Sequence, residues 1–276
     1  MHTKAWAFPT FNIARRWTAY TALTLFLTFP ASAEPDKKEY APQFGQPGKD
    51  VVWEPTPPSL ALGMLQMAGT GPRDYVIDLG SGDGRIAILA ATRFGARALG
   101  IEFNPELVGL SQQAARREGV ADKVKFVQGD LFETEFSAAT VLVTYLTPEI
   151  NSRLKPRILA LKPGTRVVSH LFRIDDWPPD NVFTLDQQHW AYLWIVPTKV
   201  SGEWRVRFPG VSNATLSLEQ KYQVIKGALT LDGRRLALHD AKLRGETILF
   251  AVMDGGATLV FSGKVSAERI VSSPVK

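Results

Sequence analysis

The segment VIDLGSGDGR, Val76 to Arg85, limits what this chain can fold into more than any other stretch. Val76, Ile77 and Leu79 form an apolar strand, Gly80, Gly82 and Gly84 form a turn, and a helix starts at Arg85. Glycine lets the backbone take positive φ and lets a ligand approach without meeting a Cβ. Asp78 puts a carboxylate at the strand's carboxyl end, where open α/β sheets bind ligands. The spacing is Asp-x-Gly-x-Gly-x-Gly, not the G-x-G-x-x-G of dinucleotide-binding turns. A glycine-rich turn also has purely structural uses, so the chemistry must come from the rest of the chain.

From residue 75 onward, apolar runs alternate with helical stretches. Strands are predicted at Tyr75–Leu79, Ala98–Ile101, Val124–Val127, Thr140–Tyr145, Arg166–Phe172 and His189–Val196. Helices are predicted at Leu60–Gly69, Arg85–Phe94, Pro105–Glu118 and Glu149–Leu161, with Pro156 kinking or dividing the last one. Asn104 caps the third helix and Gly95 closes the second. This alternation predicts an α/β fold, a Rossmann-like doubly wound, mostly parallel sheet. After Pro197 the texture changes to short alternating pieces with turns at Asp232-Gly233 and Asp254-Gly255-Gly256, a C-terminal β-rich extension. The expected organisation is a targeting segment at 1–33, a Pro-rich linker or arm at 34–59, a ligand-binding domain at 60–197 and a β-rich domain at 198–276.

The targeting segment matters for the charge argument. The formal net charge is +5, but residues 1–33 hold Lys4, Arg15 and Arg16 and no acids. The rest is 29 basic against 27 acidic residues, too balanced for a global claim on nucleic acid. The segment reads as a basic start, a short apolar run and Ala31-Ser32-Ala33, the pattern of a cleaved export signal. A membrane anchor and a mitochondrial transit peptide are the alternatives. With no cysteine and four scattered histidines, disulfides, thiol nucleophiles and metal-site spacing are absent from the sequence.

The glycine turn resembles the cofactor loop of class I S-adenosylmethionine (SAM) methyltransferases. Two further acids fall at strand ends beside it. Glu102, in GIEFNP, can accept both hydroxyls of a ribose. Asp130, in KFVQGDLFE, can accept from the adenine amine, although an Asx turn explains it equally well. SAM carries a sulfonium and an ammonium, which suits an acidic rim. A pyrophosphate would be repelled by Asp83, with Arg85 as the one argument for it.

WEPTPPSL, YVIDLGSGDGRIAI, GARALGIEFNPELV, KVKFVQGDLFE, TYLTPEIN, LKPGTRVVSHLF and DDWPPD occur in the order seen in methyltransferases related to the ATP synthase c-subunit lysine methyltransferase. The resemblance covers about residues 51–180. It implies SAM contacts at Asp78, Gly80, Ser81, Gly82, Gly84, Glu102 and Asp130, and an arm at Pro55–Pro57 that helps close the site. The implied activity is methyl transfer to an amine nitrogen, a protein lysine first, with a membrane protein among the candidate acceptors.

On the acceptor side, Tyr145, Glu149 and His170 are the candidate groups to orient an amine or take its proton. Core packing, a helix-start acid and a hydrogen-bonded strand residue explain the same three positions. Trp177-Pro178-Pro179 either lines an acceptor groove or is a packed turn. Two other readings stay open: a small-molecule acceptor, and an exported binding protein without turnover. The β-rich region is expected to cover a sheet edge, to mediate self-association or to recruit substrate. No nucleic-acid partner and no metal are expected.

Overall fold

Buried apolar strands and one-sided helices assemble as the alternation requires. The computed structural model describes residues 40–208, 211–266 and 269–273. The expected export signal at 1–33 lies outside the described residues. The first part runs α1 (Pro58–Met67), β1 (Tyr75–Leu79), α2 (Arg85–Phe94), β2 (Arg97–Glu102), α3 (Pro105–Arg117), β3 (Val124–Gln128), β4 (Val141–Thr144), α4 (Pro148–Leu159), β5 (Arg166–His170), β6 (Asn181–Thr184) and β7 (Trp190–Ile195). These strands form one sheet in the order β3-β2-β1-β4-β5-β7-β6. Strands β1 to β5 pair in parallel, and β7 runs antiparallel to β5 and β6.

Both faces of the sheet are covered, so its central strands are buried along almost their whole length and largely apolar. Val76, Ala98 and Val124 face one layer, formed with α1, α2 and α3. Ile77, Leu79 and Ile101 face the other, where Ile150, Leu154 and Ile158 of α4 lie. The strand order reverses between β1 and β4, so a crevice opens at their carboxyl ends.

The structure differs from the sequence pattern at two elements. α4 passes through Pro156 as one helix. Pro156 is exposed, while Ile150, Leu154 and Ile158 bury the opposite face, and this packing outweighs the lost backbone bond. β6, which has no alternating apolar pattern to announce it, is a four-residue edge strand paired only with β7.

The second sheet contains β8 (Gly202–Phe208), β9 (Val211–Lys221), β10 (Val224–Leu231), β11 (Arg234–Ala237), β12 (His239–Arg244), β13 (Thr247–Asp254), β14 (Ala257–Val265) and β15 (Ile270–Ser273). β11 and β12 are separated only by Leu238, so they are two halves of one bent strand that leaves β10 and joins β13. The first and last strands pair in parallel at Val206 and Ile270, and the sheet curls back on itself. Leu216, Leu229 and Val252 are fully buried inside it. The turns at Asp232-Gly233 and Gly255-Gly256 have positive φ at both positions, as the tight hairpin turns with matching twist require.

The β9–β10 turn fastens this sheet to the first. Tyr222 stacks on Trp177 with ring centroids 5.7 Å apart. Trp177 Nε1 donates to Gln223 Oε1 at 2.7 Å, and Gln223 Nε2 donates to the Pro178 carbonyl at 2.6 Å. Trp177 is buried, so Trp177-Pro178-Pro179 is a packed turn and not a groove wall.

The start of α2 is the tightest point of this frame. Gly84 has φ +79°, and an added Cβ would lie 2.5 Å from the Phe126 ring and 2.8 Å from Ser111 Cβ. Gly84→Ala should therefore lower stability by about 3 kcal/mol, combining left-handed strain with overpacking. Thermal unfolding of the variant checks this, and an unchanged midpoint would contradict the packing described.

Candidate functional site

The site grows from the carboxyl ends of β1, β2, β3 and β4. Asp78 is carried there by a strand whose residues from Val76 to Leu79 are all buried. The residue is 3% exposed, and among the described residues no hydrogen-bond donor acts on its carboxyl. Burial, then Glu102 and Asp83, push its pKa up to about 8. Such a group calls for a cationic partner.

Glu102 is fixed in direction by two backbone amides. Its Oε2 accepts from Gly82 N and its Oε1 from Asn104 N, both at 2.9 Å. Each oxygen keeps a lone pair for a further donor. Asp130 accepts from Phe132 N at 2.8 Å through Oδ1 and pairs with Lys49 through Oδ2. Lys49, first through that hydrogen bond, holds the Asp130 carboxyl below its usual range.

Lys49 belongs to the arm that the sequence reads as Pro-rich, ahead of the Pro55–Pro57 stretch expected to help close the site. Gly45 N and Trp53 O, Trp53 N and Gln46 O bond at 2.9 Å, folding the arm into a small hairpin. Trp53 lies against the glycine turn, where a Cβ on Gly82 (φ +54°) would be 2.8 Å from its Nε1. Further along, Thr56 Oγ1 lies 3.0 Å from His170 Nδ1, and the Thr56 carbonyl accepts from Arg85 Nη1 at 3.2 Å. The arm, the glycine turn and the strand ends enclose a cavity of about 240 Å³.

The cavity wall includes Asp78, Gly80, Ser81, Gly82, Glu102 and Asp130 from the cofactor candidates. Gly84 packs instead against Phe126 and Ser111. Ser81 Oγ is buried without a hydrogen-bond partner. Arg85 forks onto Asp83, with Nη2 to Oδ2 at 2.6 Å and Nε to Oδ1 at 3.0 Å, which leaves it no free fork for a pyrophosphate. An unpaired buried carboxylate and an acidic strand end fit the ammonium and hydroxyls of SAM. They do not fit a dinucleotide.

The three acceptor-side candidates are placed differently from one another. Tyr145 lines the cavity. Its phenol is pushed upward by burial and by the neighbouring Glu54 carboxylate, so it holds its proton and is a poor base. His170 lies behind it, buried, with ring centroids 3.8 Å apart. Burial and nearby His189 push His170 down to about 4, so it is neutral and positions Thr56. Glu149 is exposed at the start of α4, where its own amide and Thr147 lower its pKa.

Sequence reasoning missed Lys49, Glu54 and Phe172. Lys49 and Glu54 lie in a segment without periodicity, although Trp53 stands out there as an apolar residue in a polar setting. Phe172 reaches the cavity through a strained turn. Leu171 has φ +64°, and Phe172 N donates to the His170 carbonyl at 2.7 Å. This is a γ-turn of the rare positive-φ kind, a form of strain that concentrates at functional sites.

The chain matches the family described as ANTKMT methyltransferase domain over residues 78–181. It is 39% identical over 151 residues to a protein-lysine N-methyltransferase of Saccharolobus islandicus, covering 53% of this chain and 94% of that protein. It is also 39% identical over 111 residues to the ATP synthase c-subunit lysine N-methyltransferase of Homo sapiens, 40% of this chain and 47% of that protein. The chain thus spans about half the length of this second relative. Among solved structures it is similar to an RNA methyltransferase from Salinibacter ruber in complex with S-adenosyl-L-homocysteine (SAH). The identity is 45% and the TM-score 0.52, over 53% of this chain and 96% of that one.

Strand order, glycine turn and acidic strand ends define a SAM-dependent methyltransferase of class I. Within that class, the chain belongs to the family of the Saccharolobus protein-lysine N-methyltransferase and the ATP synthase c-subunit lysine N-methyltransferases.

Asp78 sets a pH dependence. Below about pH 8 it carries a proton, and an ammonium requires the charged form. Calorimetric affinity for SAH should tighten by up to about tenfold per pH unit between about pH 6 and about pH 8, with proton release on binding. A flat affinity across that window would contradict the assignment. Without ligand the sign reverses. The folded state keeps a proton that the unfolded chain has lost, so this group's contribution to stability falls as pH rises from about 4 to about 8.

Proposed function

We propose that the acceptor is the ε-amine of a protein lysine. The observation that carries this reading is the chemistry of the cavity's acceptor end, where the Tyr145 and Phe172 rings and the Glu54 carboxylate line one wall. Rings and a carboxylate favour a cation over a polyanion. Among the described residues the cations on the cavity wall are Lys49 and Arg85, and both are engaged by carboxylates, Asp130 and Asp83. Residues 40–197 hold 15 basic against 17 acidic residues, a poor surface for RNA. The relatives named as lysine methyltransferases support the same reading, while the similarity to the Salinibacter RNA methyltransferase makes RNA the competing acceptor.

When bound, the cofactor supplies a methyl group already activated by its sulfonium. What remains for the protein is alignment, exclusion of water and delivery of a neutral amine. Asp78, Glu102 and Asp130 are the residues that would hold the cofactor. Trp53 and the arm cover the cavity. His170 and Arg85 hold Thr56, and through it the end of the arm. Tyr145, protonated and half-buried, presents its hydroxyl and ring to the acceptor. Glu149 stands apart in solvent.

The N-terminal segment, read as an export signal, makes envelope proteins the first acceptors to test, membrane proteins included. Incubation with methyl-labelled SAM and separate envelope, cytosolic and RNA fractions should label protein. Acid hydrolysis should then return the label as methylated lysine. Label in RNA or in a small molecule would overturn the reading. Glu149→Gln should leave kcat/KM on the labelled protein within about a factor of two, since its carboxylate does not reach the cavity.

A further inference from the structure

Among the described residues six acids line the cavity, and five of them have an evident task or place. Asp78, Glu102 and Asp130 sit at the strand ends that suit the cofactor. Asp83 is forked by Arg85. Asp50 stands next to Lys49, at the end of the arm that pairs with Asp130. Glu54 remains, at the opposite end of the arm, beside Tyr145.

We infer that Glu54 is the receptor for the acceptor lysine's ammonium, in a short channel walled by the rings of Tyr145 and Phe172. The inference rests on the lysine reading above. Three observations support it. Tyr145 and Phe172 are stacked, with centroids 6.2 Å apart and planes 23° from parallel, and the γ-turn at Leu171 holds Phe172 in that position. Glu54 lines the same cavity as Tyr145 and lies close enough to push its phenol up, and a carboxylate has about four lone-pair sites, so N–H donors can be received there. The backbone on both sides of Glu54 is anchored, at Trp53 by the Gln46 pairing and at Thr56 by His170 and Arg85. A carboxylate on a fixed backbone beside ring faces is suited to a cationic side chain, and methylation of lysine keeps the charge. It therefore accepts unmodified and partly methylated lysine alike, and it rejects a neutral amide.

In this arrangement His170 is a positioning residue. It holds Thr56, and Thr56 sets the position of Glu54 two residues earlier.

The test uses the full chain saturated with SAH and three capped tripeptides of sequence Gly-Lys-Gly, with the lysine free, dimethylated or Nε-acetylated. Binding is followed by calorimetry or by NMR line broadening. The wild type should bind the free and dimethylated peptides and not the acetylated one. Glu54→Gln should weaken both charged peptides by tenfold or more while SAH affinity stays unchanged, which also shows that the variant is folded. Equal binding of the charged peptides by wild type and Glu54→Gln overturns the role of Glu54 and leaves the lysine reading standing. Failure of the SAH-loaded wild type to bind either charged peptide overturns both.

Discussion

The rest of the site depends on a carboxylate that the fold buries without a partner. Asp78 lies one residue before the end of β1, an interior strand, 3% exposed, with Glu102 and Asp83 close enough to raise its pKa further. An uncompensated buried charge is costly, so the unliganded protein keeps a proton there. A cationic ligand removes that cost when it binds. The neighbouring groups serve the same end. Gly82 leaves room for Trp53, its amide orients Glu102, and Arg85 neutralises Asp83 so that the loop does not carry one charge too many.

The arm and the curled β-sheet act on the site from two sides. The arm closes it, with Lys49 on Asp130 at one end and Thr56 on His170 at the other. The β9–β10 turn grips Trp177 and Pro178, in the loop that leaves β5 just after Phe172. The strained Leu171 turn is thus held at one end by β5 and β7, through Leu171 N to the Trp190 carbonyl, and further on by the second sheet. Strain of this kind persists only where the surroundings over-determine it. This gives the β-rich region a physical task at the methyltransferase site without requiring it to bind substrate.

The parts legible in the sequence are those set by local patterns. Six strands of the first sheet, the caps at Asn104 and Gly95 and the carboxylates at Asp78, Glu102 and Asp130 follow from apolar runs, turn chemistry and position at strand ends. The hairpin turns at Asp232-Gly233 and Gly255-Gly256 are likewise written in the residues that tolerate positive φ. The arm's contacts are not legible, because they join residues about 80 to 114 positions apart, Lys49 to Asp130 and Thr56 to His170. No periodicity marks such pairs. Arg85 is ambiguous between a phosphate clamp and a local ion pair until its fork onto Asp83 is visible. Tyr145 and His170 have the right chemistry for a base, and burial removes it from both. In α4, the buried Leu154 and Ile158 decide against the break that Pro156 alone suggests.

A crystal structure of the protein with SAH bound tests the central claim most directly. The expected result places the ligand's ammonium within hydrogen-bonding distance of Asp78, its ribose hydroxyls on Glu102 and its adenine amine at Asp130. A ligand seated with its ammonium away from Asp78, or with Asp78 still unpaired beside it, would contradict the claim that this buried carboxylate organises the site.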